Sequence, residues 1–185
     1  MGERSEARKR AVEVLYEADL RELEPENLLK ERVGSTEAPA VSEYAVKLVS
    51  GVAEHRERID ELIVNYSEGW ALSRMPIVDR SVLRLGFFEM LWGDGVPPAV
   101  VIDEAVQLGK ALSTDDSPRF INGVLGRLSG IDENERESMR GSRDGTAERD
   151  HRGGTAAQDS ADFEDAADGS GQRRAEAGRG GQEED

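Results

Sequence analysis

Two histidines, no cysteine and scattered carboxylates are the stock from which this chain could build an active site. The missing cysteine rules out disulfides, thiolate nucleophiles and thiolate-ligated zinc. His55 lies in a Glu- and Arg-rich helical stretch and reads as a surface residue, and His151 lies far away near the C-terminal end. A triad or a histidine-rich metal site therefore has little to draw on. The adjacent pairs Asp103–Glu104 and Asp115–Asp116 could serve a metal or acid–base chemistry. Adjacent helical residues point about 100° apart, however, so these read as solvated faces and helix caps. No glycine-rich phosphate loop is present. The inventory predicts no catalytic residue, no metal and no cofactor, and so a protein that binds rather than an enzyme.

The chemistry left over is cationic. Arg4, Arg8, Lys9 and Arg10 cluster at the start of the first predicted helix, where free backbone N–H groups and the helix dipole also favour phosphate. The plainer reading is that Glu6 with Arg10, and Lys9 with Glu13, form ordinary i, i+4 surface pairs. Arg8, Lys9 and Arg10 fan over roughly 200° and cannot form one flat patch. A mobile, arginine-bearing arm that orders on RNA is the expectation.

The elements that must hold these residues are helices. Ala7, Ala11, Val14, Leu15 and Ala18 form an amphipathic stripe, and Pro25 is expected to end that helix. A weaker piece follows over 26–32, then a loop with Gly34 and Pro39. Ser42 is the expected N-cap of the next helical stretch, which runs through Gly51 and His55 to Tyr66 without deciding whether it breaks. From Ile77 to Trp92 the apolar residues run nearly all round, which predicts a central, buried helix. Pro98 opens the following helix and Ser117, before Pro118, is the expected N-cap of the last. Gly86, Gly109, Gly123 and Gly126 lie inside helical stretches, where close helix approach would explain them. No strand-like alternation or internal repeat is visible.

Composition sets the boundary. Residues 1–130 hold nearly all the large apolar side chains and carry 16 Lys and Arg against 23 Asp and Glu; residues 131–185 carry 8 against 16. Beyond Gly130 the sizeable apolar residues are Ile131, Met139 and Phe163, too few to offset the entropy of ordering such a segment. The expectation is an all-α, compact bundle of six or seven helices over 1–130 and a disordered acidic tail over 131–185. An acidic total of −15 argues against bulk nucleic-acid binding but leaves room for a local basic site. The charged N-terminus and the absence of a long apolar run predict a cytoplasmic protein with no membrane association.

Four segments, ARKRAVEVLYEADL (7–20), RMPIVDRSVLRLGFFEML (74–91), GVPPAVVIDEAVQLGKAL (95–112) and DSPRFINGVLGRL (116–128), resemble the NusB family in order and spacing. The resemblance implies an all-α fold and a role in transcription antitermination. Its implied partners are NusE, single-stranded boxA-like RNA and the antitermination complex of RNA polymerase; the family admits both monomers and dimers. By position, the resemblance assigns Arg4, Arg8, Lys9 and Arg10 to RNA, with Asp116, Arg119 and Phe120 beside the last helix. It places Tyr16 and Asp79 where the family meets NusE. On the residues alone, Tyr16 reads equally as a half-buried aromatic, Asp79 as a helix N-terminal acid, Phe120 as core and Arg84 as an internal ion-pair partner. Ser5 and Glu6 interrupt the basic run, which is denser in several family members, and the acidic tail has no counterpart in the family's core. Two rival functions use similar helices. One is an adapter that binds only protein, and the other a relative of the RNA-binding module of rRNA cytosine methyltransferases.

Overall fold

The computed structural model describes residues 2–33 and 41–141; His151 and the expected tail from residue 142 onward lie outside them. Eight α-helices and one 3-10 turn make up the described chain. They are α1 (Glu3–Arg21), α2 (Pro25–Val33), α3 (Glu43–Glu54), α4 (Arg56–Tyr66), α5 (Ile77–Trp92), α6 (Pro98–Leu112), α7 (Ser117–Ser129) and α8 (Glu133–Gly141). No strand occurs among the described residues. None of the described helices is long and apolar enough to cross a membrane.

The all-round apolar pattern of α5 has the expected result. Every residue from Ser81 to Leu91 is buried, and α1, α3, α4, α6, α7 and α8 all pack against this one rod. The α1 stripe of Ala7, Ala11, Val14, Leu15 and Ala18 is buried as its spacing requires. Helix α1 ends earlier than Pro25: Glu22 takes a left-handed conformation and bonds back to Ala18 O, and Pro25 opens α2. Ser42 caps α3 by accepting the Ala45 N–H at 3.3 Å.

The long third stretch does break, and it breaks at His55, which closes α3 and opens α4. Gly51, one turn earlier, lies so close to Phe88 of α5 that a Cβ would fall 2.0 Å from the ring. His55 itself is half-buried and stacks on Trp92 at 4.3 Å between ring centroids, so it is tied to α5 and does not stand free at the surface. Gly86 faces Leu125 and Gly109 faces Ile121 at distances that leave no room for a Cβ. Gly123 and Gly126 differ from expectation, since a Cβ at either would meet nothing nearer than Arg127 Nη1 at 4.0 Å.

Order also continues past Gly130. Asp132 accepts the Glu135 N–H at 2.8 Å and starts α8. Met139 then packs against the core and meets Tyr66, and its carbonyl accepts from Arg58 at 3.3 Å. Arg140 donates to the Leu91 carbonyl near the end of α5, where a cation also complements the helix dipole. This helix was hidden because its attachment uses arginine-to-carbonyl bonds and one methionine instead of an apolar stripe. A chain ending at Gly130 is expected to unfold cooperatively with a midpoint about 2–8 °C lower than the full chain, for a loss of about 1–2 kcal/mol; thermal circular dichroism checks this.

Candidate nucleic-acid and partner interface

The basic cluster is helical throughout, because α1 begins at Glu3, so it forms no mobile arm. Its members then separate by angle. Arg8 stands three, four and seven residues before Ala11, Val12 and Leu15, on the buried side of α1, and is only 3% exposed. Its Nε and Nη2 donate to the Glu89 carboxylate of α5 at 2.9–3.1 Å. The Tyr44 hydroxyl donates to the same carboxylate at 2.7 Å. Burial pulls the Arg8 pKa down, but the bonds and charge of Glu89 outweigh it and leave it above its ordinary value. Arg8 is therefore part of the interior and presents no charge to RNA, contrary to expectation.

Arg10 lies on the opposite flank, paired with Glu13 and, at 3.7 Å, with Glu6; Glu13 is thus taken by Arg10 instead of Lys9. Arg4 is exposed, its guanidinium 5.3 Å above the Tyr44 ring centroid. Lys9 is half-exposed, and no ion pair holds it among the described residues. Arg4 and Lys9 are the cations this end of the molecule offers to a ligand.

Asp79 is the second correction. It is 3% exposed and accepts the hydroxyls of Ser113 at 2.5 Å and Ser117 at 2.8 Å, tying the start of α5 to the α6–α7 connection. The same bond explains why Ser117 does not cap α7 in the expected way: it lies inside the first turn, after Asp116, with its hydroxyl turned inward. Asp79 is closed off from a partner protein. Tyr16 is half-buried and remains accessible. It lies seven residues after Lys9 and four before Leu20, so the three share one face of α1. Leu20 is 56% exposed. The sequence carried a signal for it, since Tyr16 and Leu20 both stand outside the buried stripe.

Asp116, Arg119 and Phe120 lie at the other end of α5. Arg119 and Asp116 are exposed; Phe120 is half-buried and meets Trp70 edge to face at 5.2 Å. Glu89 and Asp79, the contacts of the two groups of elements, are ten residues apart on α5, about 15 Å along its axis. The cations of α1 and the residues of α7 are therefore two separate patches.

Between them, Asp19 of α1 gathers Arg56 at 2.7 Å, Arg80 at 2.8 Å and Arg84 at 2.6 Å. Arg84 also pairs with Asp60, so it is the internal ion-pair partner that one reading foresaw. Burial raises the Asp19 pKa, but these guanidinium groups outweigh it and hold the carboxyl below its ordinary value. No described group of three or more His, Asp or Glu side chains could hold a metal ion.

Among the described residues the chain is an all-helical bundle with a central charged seam and two solvent-facing polar patches. The NusB family model matches residues 5–129, and the chain belongs to the NusB family. The transcription antitermination protein NusB of Saccharopolyspora erythraea is 63% identical over 146 residues, covering 78% of this chain and 99% of that protein. T. maritima NusB superposes with a TM-score of 0.64 at 31% identity, over 75% of this chain and 99% of that one. A chain from the crystal structure of antitermination factors NusB and NusE in complex with dsRNA gives a TM-score of 0.60 at 34% identity. That match covers 68% of this chain and 95% of the other.

Two stability tests follow from the buried charges. Arg8→Ala strands the Glu89 carboxylate and is expected to cost about 3–5 kcal/mol, whereas the apolar triple variant Arg8→Met/Tyr44→Phe/Glu89→Leu recovers most of it; urea unfolding at neutral pH measures both. Asp19 has a lowered folded-state pKa, so its contribution is present above the unfolded carboxylate range and is lost as pH falls through the lower folded value. Asp19→Asn is expected to lack that acid-side loss, its stability curve running flatter than wild type below about pH 4.

Proposed function

We propose that this protein is an RNA-binding transcription antitermination factor that pairs with NusE and binds boxA-type RNA, notably in rRNA transcription. The observation that carries this is the family match, together with a solved relative of the same fold, a NusB in complex with NusE and dsRNA. The chain's own surface supports it. Arg4 and Lys9 at one end, with Arg119 and Phe120 at the other, supply phosphate and base contacts that can follow a strand across the molecule. Asp116, exposed beside Arg119, belongs to the same RNA-facing patch. Arg10 adds positive potential although its carboxylate partners dilute it.

NusE is assigned to the face of Tyr16 and Leu20, which lies next to Lys9, so that protein and RNA meet at a composite surface. The factor acts with the transcribing polymerase in the cytoplasm, as a binding protein and not as an enzyme.

Salt-dependent titration of a boxA-like RNA, with and without NusE, tests the assignment. With about three phosphates neutralised, log K is expected to fall with log salt at a slope near −2, and Arg4→Glu/Lys9→Glu is expected to reduce that slope by about 1.4. Tyr16→Asp is expected to abolish NusE binding with helicity unchanged, and to weaken RNA binding only when NusE is present. RNA affinity that ignores both salt and the Arg4→Glu/Lys9→Glu variant would defeat the reading.

A further inference from the structure

Three large apolar side chains stand out in water among the described residues, Leu20, Trp70 and Val100. Trp70 differs from the other two in what surrounds it. It is 49% exposed and meets Phe120 of α7 with ring centroids 5.2 Å apart and planes at 64°. Such an edge-to-face pair satisfies the contact between the two rings and leaves ring face open to a third π-system.

The segment carrying Trp70 is braced, not loose. The Ser67 hydroxyl donates to the Trp70 carbonyl at 3.3 Å, and the Gly69 N–H bonds to Val64 O at 3.0 Å. Glu68 and Gly69 both take positive φ to make the turn. Each ring also has an exposed arginine close by in its own segment: Arg74 four residues after Trp70, and Arg119 immediately before Phe120. Neither guanidinium has an ion pair among the described residues. The nearby carboxylate Glu68 is matched by Arg127 at 3.5 Å. One turn beyond Phe120, Gly123 leaves the helix surface open.

We propose that Trp70 and Phe120 form a base-stacking platform that takes an unpaired nucleotide of RNA, with Arg74 and Arg119 at its phosphates. This rests on the RNA-binding reading above and adds a residue, Trp70, that the family resemblance did not assign. Indole and phenyl faces accept any base, and flanking cations suit a nucleic acid better than an apolar peptide.

The chain's two tryptophans are Trp70 and Trp92, so the full-length Trp92→Phe protein reports on Trp70 by fluorescence. The probes are an unstructured 12-nucleotide RNA and a strand of the same length whose nucleotides are abasic, each tested with and without NusE. Signal is taken as the difference from a Trp70→Phe control. The intact RNA is expected to quench Trp70, and the abasic strand to leave it nearly unchanged. Trp70→Ala is expected to weaken RNA binding about 5- to 100-fold without altering the salt slope, because stacking is lost while phosphate contacts remain. Gly123→Leu, a change that favours helix, is expected to weaken RNA binding with no loss of thermal stability.

Unchanged emission at saturating RNA, or Trp70→Ala binding within twofold of the parent, overturns the platform and leaves the broader reading standing. Loss of NusE binding with RNA affinity intact assigns the rings to protein and also overturns it. A parent protein that binds no RNA in either condition defeats the antitermination reading and the platform together.

Discussion

Helix α5 is buried on every side, so the charges it carries have to be neutralised inside the protein. Arg84 and Glu89 are two of those charges, and α1 supplies a partner to each: Asp19 for Arg84 and Arg8 for Glu89. Arg8 and Asp19 are eleven residues apart, three helical turns, and so share one face. The order of signs fixes the direction of packing. With α1 and α5 antiparallel, each cation meets an anion; a parallel arrangement would put Arg8 near Arg84 and Asp19 near Glu89. Like charges confined in a low-dielectric interior cost several kcal/mol, so this seam excludes an alternative that apolar packing alone would tolerate. Among the described residues, no buried side-chain nitrogen or oxygen lacks a hydrogen-bond partner, as such an interior requires.

The seam also decides what is left for function. A guanidinium committed to an internal carboxylate cannot neutralise a phosphate, and α1 therefore divides its cations between structure and surface by helical angle. Arg8 turns inward while Lys9, 100° away, stays toward solvent. The same division applies at the other end of the molecule. Asp79 holds Ser113 and Ser117 and thereby sets the start of α7, while Arg119 and Phe120 on that helix face outward or toward Trp70. Residues adjacent in sequence have different tasks because the helix alternates what it shows to the core and to water.

The positions of the two patches, separated along α5, suit an extended ligand better than a compact one. A strand of nucleic acid can touch both, and a protein bound at Tyr16 and Leu20 can extend the surface further. An acidic total charge is compatible with this, since the exposed cations act locally within a Debye length of about 8–10 Å.

The all-helical class, the central place of α5 and the inward stripe of α1 were legible in the chain itself, because each follows from periodicity. The break at His55 and the extra helix α8 were not. Gly51 and His55 mark the break only because Phe88 and Trp92 of another helix press on them. In α8, the Arg58 guanidinium of α4 and the Leu91 carbonyl of α5 supply what its own apolar residues lack. Arg8 and Asp79 make the same point for the site. Their spacing set both on buried faces, yet a charge there reads as functional until its partner is known. Those partners, Glu89 and Ser117, stand 81 and 38 residues away. Helical periodicity determines the direction in which a side chain points; whether that direction leads to water, a core or an opposite charge is decided only when remote helices pack.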